Sequence, residues 1–275
     1  MKSHWIFALA TIAFSIGFVS PSAWAEEAAK EAQDDAAKNY DIRVEFRGLG
    51  SQSSTTSLSS PDLSNTLGGI QGGAHVDYHF RNGTHLSLDG ATGAVTSLAH
   101  SDPDSNTWIR NLQVGSRFLR SPVQIEAKAR LVDETASAGI GALQAGPRFN
   151  YKGGHTSVLA QGGYYWDRAD HKIGYMGGLA AESELTPIDA LTLRAAVEAG
   201  VITGQDINLG VAGRAVAGVR ANFDLKKQPS FIELRGIYDQ AGYKDMGGQD
   251  IERSALTGMI VIGISEGASS ANDRN

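Results

Sequence analysis

The stretch HVDYHFRNGTHLSLD, His75 to Asp89, holds the densest group of reactive side chains in the sequence. Imidazole binds borderline metals such as zinc and copper, and it is the side chain that ordinarily titrates near neutral pH. Arg81-Asn82-Gly83 lies between two runs of alternating polarity and reads as a hairpin loop with Gly83 at the left-handed position. That loop sets the register: His79 faces His85, Asp77 faces Ser87, and His75 faces Asp89. All six then point away from the apolar set Val76, Tyr78, Leu86 and Leu88, because successive side chains leave opposite sides of a strand. Cross-strand neighbours stand about 4.5–5.5 Å apart, so His79 and His85 come within reach of one metal ion. His75 and Asp89 are the further candidate ligands. A pH-sensitive constriction is the other chemistry open to this set, and plain polar lining is the third reading.

His85-Leu86-Ser87 also carries the His-x-Ser spelling seen in outer-membrane lipid esterases. Such a dyad needs a third residue to orient the histidine. Position 99 is Ala99, and no Asn or Glu occupies 98–103. Strand parity also turns His85 and Ser87 away from the oily face. The expectation is therefore a protein without enzymatic activity. Gly139-Ile140-Gly141 and Gly210 to Gly213 sit inside strand patterns, where glycine eases curvature and does not cradle phosphate. No cofactor is expected.

The elements that would position these residues are strands. VQIEAKARLV, Val123 to Val132, alternates apolar residues with Gln124, Glu126, Lys128 and Arg130. The same period of two recurs in twelve candidate strands: 41–49, 69–80, 84–96, 107–119, 122–132, 139–151, 155–167, 171–185, 190–202, 206–224, 230–241 and 252–265. Strand four slips in parity at Arg110, which reads as a bulge or a late start. Even-numbered connections are short. Odd-numbered ones are longer early and late: about nineteen residues at Gly50 to Gly68, and about ten each at Ser97 to Asn106 and Gly242 to Ile251. The middle odd connections are short.

Alternation leaves two environments open for the oily faces, a protein core or lipid. Aromatic placement separates them. With strands running alternately up and down, Tyr78, Phe80, Phe118, Phe149, Tyr151, Phe223 and Phe231 gather at the short-turn end. Trp108, Tyr164, Trp166, Tyr175, Tyr238 and Tyr243 gather at the other. Two bands with Ala, Gly, Leu and Val between them match the girdles at two lipid–water interfaces.

The ends and the composition agree with export. Lys2, the apolar run Ile6 to Val19, and Ala23-Trp24-Ala25 read as a secretory signal peptide over residues 1–25. Residues 26–40 form a charged, alanine-rich linker or short helix, 41–265 the barrel, and 266–275 a polar tail. The chain has 24 basic and 30 acidic residues and a net charge of −6, which argues against nucleic acid as a partner. It has no cysteine, so disulfides do not stabilise it.

On these strands, turns and aromatic bands the chain resembles the bacterial outer-membrane β-barrels, specifically a twelve-stranded porin-like barrel. One departure stands out. The last strand, LTGMIVIGIS, is followed by a polar tail, where such barrels usually end on an aromatic residue. The fold class implied is all-β, a closed antiparallel up-and-down transmembrane barrel with both termini periplasmic, in the outer membrane of a Gram-negative bacterium. Its partners would be outer-membrane lipids and small hydrophilic solutes. The inward set would be Arg43, Glu45, Arg47, Glu126, Lys128, Arg130, Arg148, Arg194, Glu198, Arg214, Arg220, Glu233 and Arg235. Its arginine excess points to a modest preference for anions, and a salt-bridge lining is the plainer reading. The leading function is passive passage of small hydrophilic solutes. The rivals are a structural or adhesive barrel with a closed lumen, and a barrel of the autotransporter kind with residues 26–38 lying inside it.

Overall fold

The structure, a computed structural model, describes residues 40–57, 60–80, 84–97, 107–118, 123–133, 138–167 and 172–267. Residues 1–25, read above as a signal peptide, nearly all of the charged segment, most of the polar tail and Arg81-Asn82-Gly83 lie outside the described residues. Twelve strands follow one another: β1 Tyr40–Ser57, β2 Ser60–His79, β3 His85–Ser97, β4 Thr107–Phe118, β5 Val123–Asp133, β6 Ala138–Tyr151, β7 Gly154–Asp167, β8 Ile173–Ile188, β9 Leu191–Gly204, β10 Ile207–Leu225, β11 Gln228–Asp245 and β12 Asp250–Gly267. Each pairs antiparallel with its sequence neighbours, and β1 pairs with β12 to close the barrel. The closing seam runs from Asp41↔Gly267 to Ser57↔Ile251.

Closure follows from the outer face. Val44, Phe46, Ile70, Leu143, Leu179, Val197, Leu234 and Ile260 all point outward, with Phe46 72% and Ile70 76% exposed. A belt of this extent is sustained against hydrocarbon, not against water. In hydrocarbon every backbone N–H and C=O must find a partner inside the protein, and a sheet without edges provides one for each. Among the described residues no helix is long and apolar enough to cross a membrane.

Several expectations change. The segment Gly50 to Gly68 is not a loop: β1 continues to Ser57 and β2 starts at Ser60, with Ser51↔Leu67 and Ser53↔Asn65 paired. Serine and threonine hide the alternation there, but β12 supports the other edge through Ser51↔Thr257 and Ser53↔Ala255. Likewise β11 runs on to Asp245 and β12 begins at Asp250, so the connection shrinks to a turn. Tyr40 belongs to β1, and Glu266 and Gly267 belong to β12. Arg110 marks neither a bulge nor a late start; β4 keeps register with both neighbours, and Arg110 is an exposed outward residue near the strand's beginning. Its long side chain can reach past the apolar belt to water. Tyr78, Phe80, Phe118, Phe149, Tyr151 and Phe223 form one outward aromatic band, and Tyr164, Tyr175 and Tyr238 are outward as well. Phe231 and Tyr243 are not girdle residues, since both turn inward and are buried.

The even-numbered turns are tight, as at Lys152-Gly153, Asp189-Ala190 and Lys226-Lys227. At the odd-numbered end the asymmetry lies in strand length. β1, β2, β10, β11 and β12 have 18, 20, 19, 18 and 18 residues, against 12 and 11 for β4 and β5. One side of the barrel therefore stands taller.

Candidate functional site: the barrel interior

Every charged residue assigned to the lumen from sequence stands on the inner face, opposite the apolar belt. Their partners come from the same strand, from the next strand and, in places, from strands several positions away around the barrel. On β1, Arg47 lies against Glu45 and donates to Gln71 Oε1 on β2 at 3.1 Å. On β5, Glu126 accepts from Ser157 Oγ at 2.5 Å, with Arg148 3.9 Å away. Lys128 Nζ donates to Glu182 Oε2 on β8 at 2.5 Å, and Arg130 meets Glu198 on β9. These two contacts leave β5 and cross the bore.

On the opposite wall, Glu233 has no exposed surface and gathers three guanidinium groups: Arg220 at 2.7 Å, Arg235 at 2.8 Å and Arg194 at 3.5 Å. Arg220 also lies 3.9 Å above the Phe231 ring, which explains why that aromatic faces inward. Arg214 stands 3.6 Å from Asp239. Arg253 Nε on β12 donates to Asp167 Oδ2 on β7 at 2.7 Å, and Tyr243 OH donates to the same oxygen at 2.7 Å. Buried ions persist only where opposite charge and hydrogen bonds offset their lost hydration, so these pairs are mutually dependent.

The lumen is layered, not uniformly polar as alternation implied. Near the odd-numbered connections, Ile140, Tyr165, Met176, Ile202, Ile207, Tyr243 and Ile251 form a buried apolar cluster spread over β6 to β12. A second cluster joins Leu49, Leu67, Val95, Ile237, Met259 and Val261 around β1, β2, β3, β11 and β12. Toward the even-numbered turns the interior opens. The side chains of Asp41, Arg43, His75, Asp89, Glu182, Glu184 and Arg194 keep 21–32% of their surface. This end is a charged mouth of part-buried side chains. The arginine excess counted from sequence is offset in the structure. Asp41, Asp77, Asp167, Glu182, Glu184 and Asp239, absent from the sequence-derived lumen set, carry the offsetting charge. Strand parity had already turned Asp77 inward and could have found the other five.

The histidine hairpin has the register read from its turn: His79↔His85, Asp77↔Ser87 and His75↔Asp89. His75 Nδ1 stands 3.4 Å from Asp89 Oδ2, a pair of its own. His79 and His85 have ring centroids 4.3 Å apart at 82°. The residue that joins them is Asp77, not His75 or Asp89; ligand atoms of Asp77, His79 and His85 all lie within 4.8 Å of one another. Arg117 of β4 binds Asp77 Oδ2. Ser87 and His85 both face the lumen.

The closed twelve-strand sheet, oily outside and charged within, gives the chain the architecture of a transmembrane β-barrel. No family model and no curated protein matches the chain. Among solved structures it is similar to the COG4313 outer membrane channel from Pseudomonas putida F1, with 11% identity, 83% of this chain and 97% of that one covered, and a TM-score of 0.48. The translocator domain of the autotransporter NalP from Neisseria meningitidis gives 12% identity, 94% and 97% coverage, and a TM-score of 0.43. A mutant of the TodX monoaromatic hydrocarbon channel gives 5%, 84% and 91%, and 0.40.

Proposed function

We propose that the barrel is a narrow outer-membrane channel that passes small hydrophilic solutes passively. The observation that carries this reading is the gradient of exposure along the lumen. A charged mouth whose side chains keep part of their surface leads into buried ion pairs of both signs. A barrel serving only as a membrane anchor gains nothing from burying so many charges, since well-packed apolar residues are as stable or more so. Near balance of the two signs implies weak selectivity between anions and cations. The termini would lie on the periplasmic side with the charged mouth, and the tall wall outside. The inward positions of His85 and Ser87 deny them contact with membrane lipid, so lipid hydrolysis is not part of the reading.

The rival is a closed structural barrel. The apolar cluster around Tyr165, Ile202 and Ile207 favours it, because it fills the lumen near the odd-numbered connections. Planar-bilayer recording distinguishes them. Reproducible unitary steps support the channel; a silent bilayer, with folding verified by faster migration of unboiled protein, overturns it in favour of the closed barrel.

A further inference from the structure

Among the lumen carboxylates of the described residues, Asp77 is the one that stands beside two imidazoles. Asp77, His79 and His85 come from a single hairpin, β2 and β3, next to the charged mouth. Asp77 is 8% exposed, and its Oδ1 is buried with no hydrogen-bond partner among the described residues. Leaving a carboxylate oxygen buried and unsatisfied is costly, so a cation at that point would stabilise the site. Its other oxygen, Oδ2, is held by Arg117, which fixes the carboxylate's orientation in the way an outer partner orients a metal ligand.

We propose that Asp77, His79 and His85 form a binding site for one transition-metal dication of borderline softness, zinc or copper(II). Two imidazoles and one carboxylate are a donor set that such ions take with an open position for water. The ligand atoms lie within 4.8 Å of one another. Tetrahedral zinc asks for roughly 3.3 Å between donors at bonds of about 2.0 Å, a change that side-chain rotation supplies without moving the strands. Paired strands on a closed sheet hold the three Cα positions fixed. His75 and Asp89 satisfy each other and stay outside the set. The site stands independently of solute passage, because its test reads metal and not conductance.

The experiment is calorimetric titration of the detergent-folded full chain with zinc, paired with the visible spectrum of the cobalt(II) form. One ion per barrel is expected, with the intense d–d bands of a four-coordinate site. His79→Ala and His85→Ala should each raise the dissociation constant by more than the roughly 10–100-fold typical of losing an outer-shell partner. His75→Ala should leave it unchanged, which separates this set from one that uses His75 and Asp89. Asp77→Asn should weaken binding, and if its loss of the Arg117 contact prevents folding, the two histidine variants still decide. Absence of zinc binding by the unsubstituted chain, undiminished binding by the double variant His79→Ala/His85→Ala, or equal loss in His75→Ala overturns the proposal.

Discussion

Arg253 and Asp167 meet across the full width of the barrel. The Nε of one, on β12, stands 2.7 Å from the Oδ2 of the other, on β7, and their side chains are 4% and 0% exposed. Removing one member strands the other charge in the interior, which typically costs about 3–5 kcal/mol. Asp167→Ala should lower stability by that amount in a urea titration of vesicle-folded protein. The double variant Asp167→Leu/Arg253→Met should recover part of the loss, since neither charge then remains unpaired while the buried Tyr243 hydroxyl still loses its acceptor.

Glu233 offsets three arginines at once. Glu233→Gln leaves Arg194, Arg220 and Arg235 without that carboxylate and makes the lumen more positive. In a potassium chloride gradient the reversal potential should move toward anion preference, while the unsubstituted chain stays near neutral selectivity.

The lipid belt gives a sharp contrast between two equally exposed positions. Leu143, in the middle of β6, is 70% exposed and Met246, in the β11–β12 turn, is 68% exposed. Leu143→Arg should destabilise the folded barrel by about 2–4 kcal/mol, and Met246→Arg by about 0–1 kcal/mol, because the cost of a cation depends on depth in the bilayer. Equal effects in a vesicle unfolding assay would contradict the assignment of this face to hydrocarbon.

Lys226 and Lys227 form the β10–β11 turn with φ of 51° and 70°, a left-handed conformation that asparagine and glycine adopt more readily. Lys226→Asn/Lys227→Gly should therefore stabilise the barrel by about 0.5–1 kcal/mol, read as a shift in the urea midpoint at unchanged slope.

What the sequence made legible follows from what alternation encodes. Period two told which residues share a face, so the strand count, the inward charges on β5 and the His79–His85 register could be read directly. It failed where polar residues occupy both faces, as in Ser51 to Ser57, because above the lipid there is no oily side to mark. At Met259-Ile260-Val261-Ile262 it marked a strand but not its inner face, since both faces are apolar and the inward members pack a cluster inside the barrel. The partners of Arg130 and Arg253 were hidden for another reason. They sit on strands four and five places away around the barrel, and no local spacing carries that information.

The seam between β1 and β12 has a kinetic consequence. The first strand finds its second neighbour only at the far end of the chain, in pairs such as Phe46↔Ile262. Contacts so distant in sequence are the slowest to form, because the entropy of the intervening chain must be given up first. Until synthesis is complete the early strands carry a naked edge, open to pairing with any other extended chain. Such a polypeptide needs escort on its way to the bilayer, and a copy truncated before Asp250 would be sticky without ever closing its sheet.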